Sequence, residues 1–273
     1  MSAEVARFVR VLHDGQPRYG VLDGAEVALI EPHPFAPHRP TGDRLPVQGL
    51  RLLAPVIPSK VLCVGKNYAA HAAEMGGEVP TEPLFFLKPS SSVIGPGEPI
   101  RLPLDMSNEI HHEAELAVVI GALLHRVSPE EAKAGIFGYT AANDVSARDL
   151  QRSEEQWFGA KGFDSFCPLG PAIAVGLDAT ELSVRCLVDG EVRQDGSTAD
   201  LVVDIPTLVS RMSQVMTLLP SDVILTGTPA GVGPINPGQI VRVEIDGIGV
   251  LENPVVDRNA AAPPTERPNG QGS

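Results

Sequence analysis

The sequence predicts an α+β fold dominated by strands. Three observations carry that expectation. Gly (27) and Pro (26) are frequent among the 273 residues, short apolar runs recur between Asp-Gly turns, and few segments have helical spacing. Residues 5–31 hold the first such runs, ARFVRVL, RYGVLDG and AEVALI, as expected for antiparallel strands joined by tight turns. The Pro-rich stretch EPHPFAPHRPTGDRLPVQG follows and reads as a linker or an extended wrap. Residues 1–57 are thus expected to form a small N-terminal β domain with its linker. Residues 58–258 form the main body, and residues 259–273, NAAAPPTERPNGQGS, a disordered tail without apolar periodicity.

Within the main body, Lys60-Val61-Leu62-Cys63-Val64-Gly65 is a buried-strand pattern stopped by glycine. The Ala-rich segment from Asn67 to Gly76 reads as a short helix or helical lid closed by Gly76. Ser128-Pro129-Glu130-Glu131 is a helix start, with Ser as the cap, Pro in the first turn and Glu closing a capping box. Asp189-Gly190 and Asp246-Gly247 predict hairpins. Residues 205–219 predict an amphipathic helix through Leu208, Val209, Met212 and Met216.

Composition excludes several functions. A net charge of −13 disfavours binding to a phosphate backbone, so nucleic acid is not an expected partner. There is no basic-then-apolar leader and no apolar run long enough to cross a bilayer, so a membrane is not expected either. Cys63, Cys167 and Cys186 are odd in number and lack CxxC spacing. They read as small buried hydrophobes in a reducing cytoplasm.

The chemistry is expected around His111-His112-Glu113-Ala114-Glu115, just ahead of the apolar run Leu116–Ile120. On a strand Glu113 and Glu115 point to one side, where two bare carboxylates repel. A cation between them removes the conflict, and oxygen-only ligands favour Mg²⁺, Mn²⁺ or Ca²⁺. Asp144, ending the small-residue run GYTAAND, is the candidate third ligand. An E-x-E pair taken alone more often lines a solvated strand edge. His111 shares the face and could join the ligands, although both histidines read better as supporting or packing groups. His71 and Glu74, three apart, would share a helical face and hydrogen-bond. Thr226-Gly227-Thr228-Pro229 follows a strand; its glycine allows close backbone approach to a ligand, and its hydroxyls and amides can bind a carboxylate.

EIHHEAELAVVIG, GYTAANDVSARDLQ, WFGAKGFDSFCPLGP and DVILTGTPAGVGP, preceded by KVLCVGKNYAAHAAEMG and PLFFLKPSSSVIGPG, resemble in order and spacing the fumarylacetoacetate hydrolase family over about residues 58–256. The resemblance implies a mixed β-roll with peripheral helices, usually a homodimer, and a small-molecule 2-oxo acid substrate. It implies Mg²⁺ or Mn²⁺ held by Glu113, Glu115 and Asp144. It also implies Lys161 as the active-site lysine, His71 and Glu74 as the pair that activates water, and Gln151, Gly227 and Thr228 as substrate contacts, with Thr228 on the carboxylate. Arg148 reads as an ion-pair partner of nearby acids. A cation chelating a pyruvoyl group makes that fragment an electron sink. C–C hydrolysis of an acylpyruvate, decarboxylation of oxaloacetate and isomerisation of a 2-hydroxyhepta-2,4-diene-1,7-dioate then share one site. The His71–Glu74 pair favours hydrolysis, because decarboxylation needs no activated water. A non-catalytic member that keeps the metal for stability is the rival reading.

Overall fold

The run after Glu115 is apolar without a break because its strand is covered on both faces. Ala114–Ile120 lies between the antiparallel neighbours Ile136–Asn143 and Val223–Leu225. Its even-numbered residues Leu116, Val118 and Ile120 enter one core, and Ala117 and Val119 enter another. The first core is closed by Val184, Cys186, Val241, Val243 and Val255 of a second sheet. Glu115 has the parity of Ala117 and Val119, so alternation directs it to the second core's side. The computed structural model describes residues 5–259; apart from Asn259, the expected tail lies outside the described residues.

The strand order across the main sheet is Arg39–Pro46, Glu26–Glu31, Gln16–Asp23, Ala6–His13, Cys167–Val175, Ile136–Asn143, Ala114–Ile120, Val223–Leu225, Val61–Gly65 and Leu84–Lys88. The five-stranded second sheet runs Glu191–Ser197, Ser183–Val188, Ile240–Ile245, Gly249–Asp257 and Ile100–Leu102. Both anticipated Asp-Gly hairpins join neighbours in it. A small third sheet pairs Ile110–His112 with Ser146–Ala147 and Gly233–Pro234. The N-terminal strands pack Val9, Val11, Val27 and Leu29 into a cluster with Ala172 of the strand Cys167–Val175. They meet the rest of the chain where Ala6–Phe8 pair with Ile173–Val175.

Two segments differ from their sequence reading. The Pro-rich stretch contains the strand Arg39–Pro46, paired with Glu26–Glu31 through a register shift. Its prolines are tolerated because it is the outermost strand, where one row of N–H groups has no partner to lose. The amphipathic helix spans Ile205–Val215, capped by Asp204 onto Thr207, and stops short of 219. Met216 turns extended because Leu218 bridges to Leu124 instead. The Ser128 capping box forms as expected, with the helix Pro129–Ala134 behind it.

A buried carboxylate locks the central strands to the chain entering them. Asp222 is fully buried and accepts from Ser59 Oγ at 2.5 Å, from the Leu219 N–H at 2.8 Å and from the Lys60 ammonium. Asp222→Ala strips three donors of their acceptor, and unfolding free energy should fall by roughly 2–4 kcal/mol. Urea titration reads this directly; a loss under about 0.5 kcal/mol would contradict it.

Candidate metal centre

Glu113 occupies the break between the strands Ile110–His112 and Ala114–Ile120. Its N–H donates to Asn143 Oδ1 at 2.9 Å, and its carbonyl accepts from the Asp144 N–H at 2.8 Å. These two bonds place the end of the strand Ile136–Asn143 directly against Glu113, so Asp144 reaches the same point as the two glutamates. One oxygen each from Glu113, Glu115 and Asp144 lies within 4.8 Å of the others, and all three residues are buried, at 4%, 2% and 1% exposure. The solvated-edge reading of the pair is excluded.

Buried carboxylates need compensation, and it is distributed unevenly. Glu113 is gripped by the Arg148 guanidinium on Oε1 and by Lys161 Nζ at 2.7 Å on Oε2. Asp144 lies between two ammonium groups, Lys88 at 2.5 Å and Lys161 at 2.6 Å. Burial opposes ionisation of Glu113, but Arg148 and Lys161 prevail and hold its carboxyl well below the usual range. Burial likewise works against the Lys161 ammonium, and Asp144 and Glu113 outweigh it, so that lysine is held above its ordinary value. Glu115 has no such partner among the described residues. Its Oε2 accepts the Gly227 N–H at 2.6 Å; burial, then Asp144 and Glu113, push its carboxyl well above the usual range. A buried, all-oxygen trio with one uncompensated member fits a hard divalent cation.

The lid forms as the Ala-rich segment predicts, a helix over Ala69–Glu74 with Gly76 beyond it at φ +70°. His71 Nδ1 and Glu74 Oε2 are 3.2 Å apart. Glu74 also accepts the Gly231 N–H at 3.0 Å, which ties the lid to the loop after Val223–Leu225. His71, Gln151, Lys161 and Thr228 line one cavity of about 190 Å³ with the three carboxylates. Gln151 accepts from Arg148 Nη1 at 2.7 Å through Oε1, leaving its amide N–H groups for a ligand.

Several residues are used differently from expectation. The Gly227 N–H is committed to Glu115, so that donor supports a carboxylate of the trio and is not free for substrate. A side chain there would meet Asn67 Cβ at 2.9 Å, and its φ of +105° also requires glycine. The Thr228 hydroxyl donates to the Ala114 carbonyl at 2.8 Å and accepts from Gln194 Nε2 at 2.7 Å. Its single proton is spent, so the hydroxyl is not free to donate to a ligand. His111 does not join the ligands: the strand breaks at Glu113, and His111 Nε2 lies 3.6 Å from Glu109. His112 is fully buried with Nδ1 3.0 Å from Gln194 Oε1, and burial pushes its pKa down to about 4.

The sequence reading missed Lys88 and Gln194. Lys88 ends the apolar strand Leu84–Lys88 and is buried at 1% exposure; a lysine closing LFFLK ahead of Pro89 was the available signal. Gln194 binds Thr228, the Pro229 carbonyl, the Ala114 N–H and His112, a role set by pairings about 80 and 34 residues away.

Residues 60–256 match the model described as fumarylacetoacetate (FAA) hydrolase, C-terminal, and residues 6–55 match one described as Rv2993c-like, N-terminal. The chain is 52% identical over 230 residues to protein Rv2993c of Mycobacterium tuberculosis, covering 83% of this chain and 86% of that one. It is 44% identical over 220 residues to the mitochondrial oxaloacetate tautomerase fahd2 of Xenopus laevis, covering 76% and 69%. The solved 2-hydroxyhepta-2,4-diene-1,7-dioate isomerase of Mycobacterium marinum superposes with a TM-score of 0.87 at 44% identity, over 93% of this chain and 99% of that one. A maleylpyruvate hydrolase from Sphingobium sp. SYK-6, solved with manganese(II) and pyruvate, superposes at 0.77 with 34% identity, over 92% and 99%. Among the described residues no helix is long and apolar enough to cross a membrane.

Proposed function

The chain belongs to the fumarylacetoacetate hydrolase family, and from that premise we propose that it is a divalent-metal-dependent hydrolase cleaving a C–C bond in an acylpyruvate-type 2,4-dioxo acid. The observation that carries this reading is the His71–Glu74 pair at 3.2 Å, lining the same cavity as the acidic trio. Glu113, Glu115 and Asp144 would hold Mg²⁺ or Mn²⁺. Manganese with pyruvate in the related maleylpyruvate hydrolase supports both the ion and the kind of ligand. When bound, the ion supplies Lewis acidity toward the oxygens of a 2-oxo acid.

The chain's own residues do the rest. Glu74 orients His71 through Nδ1 and leaves Nε2 to take a proton from water. The resulting hydroxide adds to the acyl carbonyl, the bond between that carbon and the adjacent methylene breaks, and the methylene carbon is reprotonated. One water is consumed, and a carboxylic acid and pyruvate are released. Lys161 offsets negative charge that builds on the pyruvoyl oxygen. Gln151 and the Thr228 N–H orient the carboxylate.

The 44% identity to an oxaloacetate tautomerase and to a dienedioate isomerase favours a second reading. In it His71 moves a proton along the 2-oxo acid with no water added, and decarboxylation of oxaloacetate belongs to the same group. Purified protein with Mn²⁺ or Mg²⁺ should be offered acetylpyruvate, fumarylpyruvate, oxaloacetate and the dienedioate. Hydrolysis of a dioxo acid, lost in EDTA and restored by Mn²⁺, is expected. Turnover of oxaloacetate or the dienedioate alone would replace hydrolysis by the second reading.

The proposal extends to organisation. The division at residue 57 separates a leading β unit from the catalytic unit. Three buried free cysteines support a cytoplasmic setting. An apolar cleft of about 660 Å³ bearing the exposed Phe158 and Val215 supports a homodimer.

A further inference from the structure

The basic side chains around the cavity are nearly all matched to acids. Lys161 and Arg148 are bound to Glu113, with Lys161 also on Asp144, and Arg152 pairs with Glu109 at the surface. Lys66 lines the same cavity. Among the described residues its ammonium makes no ion pair and no hydrogen bond, which leaves a cation facing a ligand space without an anion. Its backbone is unusual as well. Lys66 has φ +58°, a left-handed conformation uncommon for a residue with a side chain. The next residue holds it there: Asn67 is buried and pinned to the Thr226 carbonyl at 2.9 Å and to both backbone groups of Val203. The side chain runs out over Gly77, just past the lid helix, where a Cβ would come within 2.7 Å of Nζ. A glycine thus leaves room for the ammonium at the rim.

We infer that Lys66 is a specificity-determining residue that receives a second carboxylate, so that the site prefers dicarboxylic over monocarboxylic 2-oxo acids. The inference rests on the 2-oxo acid reading above. The carboxylate beside the 2-oxo group would be met by the divalent ion that the acidic trio would hold, together with Gln151 and the Thr228 N–H, and Lys66 meets the charge at the other end. A charge-assisted hydrogen bond of this kind contributes roughly tenfold to hundredfold in affinity.

The test uses two unreactive ligands of equal chain length, 2-oxoglutarate and 2-oxopentanoate, titrated calorimetrically into the Mn²⁺-loaded full chain. The wild type should bind 2-oxoglutarate at least about tenfold more tightly. Lys66→Met should erase that preference while 2-oxopentanoate affinity stays within about twofold, which also shows that the variant is folded. Lys66→Arg should keep the preference. Equal affinities in the wild type, or a preference that survives Lys66→Met, would overturn the role of Lys66. A wild type that binds neither ligand would overturn the 2-oxo acid reading itself, and the inference with it.

Discussion

Replacing Glu115 by Gln is expected to abolish turnover of every 2-oxo acid while leaving the protein folded. The reason lies in the uneven compensation of the acidic trio. Glu115 is the member without a cation among the described residues, held by the Gly227 N–H and pressed by Asp144 and Glu113. A glutamine carbonyl keeps that N–H bond and removes the charge the ion needs, so metal affinity should fall at least about a hundredfold. Because the repulsion disappears too, the melting temperature of the metal-free variant should equal or exceed the wild type's. Glu113→Ala should behave differently. It strands Arg148, buried at 2% exposure, without its carboxylate, and leaves the equally buried Lys161 with Asp144 alone. Activity should again be lost, but with a destabilisation of about 3–5 kcal/mol. Activity assays and melting curves on the two variants separate metal binding from charge balance; identical stability effects would contradict this account of the cluster.

The second large effect is expected at His71. Substitution by Ala should lower kcat for dioxo-acid hydrolysis by roughly 10²–10⁴-fold, the usual contribution of a positioned base. It should leave Mn²⁺ affinity unchanged, because His71 bonds to Glu74 and not to any of the three carboxylates. Glu74→Gln should produce a smaller loss of the same kind. It weakens the support of the imidazolium but keeps an oxygen acceptor for the Gly231 N–H. A His71→Ala enzyme that hydrolyses dioxo acids at the wild-type rate would remove water activation from the mechanism.

Much of this centre was legible because it obeys short-range rules. Alternation and the break at Glu113 bring Glu113 and Glu115 together, and Asp144 lies one position past the strand that pairs with Ala114–Ile120. The helix over Ala69–Glu74 brings His71 to Glu74 through three-residue spacing. What escaped depends on pairings far apart in the chain. Lys88 reaches Asp144 across 56 positions, and Gln194 reaches Ala114 across 80. The same limit explains the roles that changed. A Gly-Thr-Pro loop beside a site suggests donors aimed at substrate, but only the folded chain shows the Gly227 amide spent on Glu115 and the Thr228 hydroxyl on Ala114. The Pro-rich stretch became an edge strand for a related reason: proline is costly only where a neighbour needs its missing N–H, and the neighbours are set by topology.

The central claim, a single buried divalent-metal site made by Glu113, Glu115 and Asp144, is tested most directly by titrating Mn²⁺ calorimetrically into metal-free protein. The wild type should show saturable binding at one ion per chain, and Glu115→Gln should show no such binding over the same range although it melts at or above the wild-type temperature. Absent binding in the wild type, or undiminished binding in Glu115→Gln, would contradict the account.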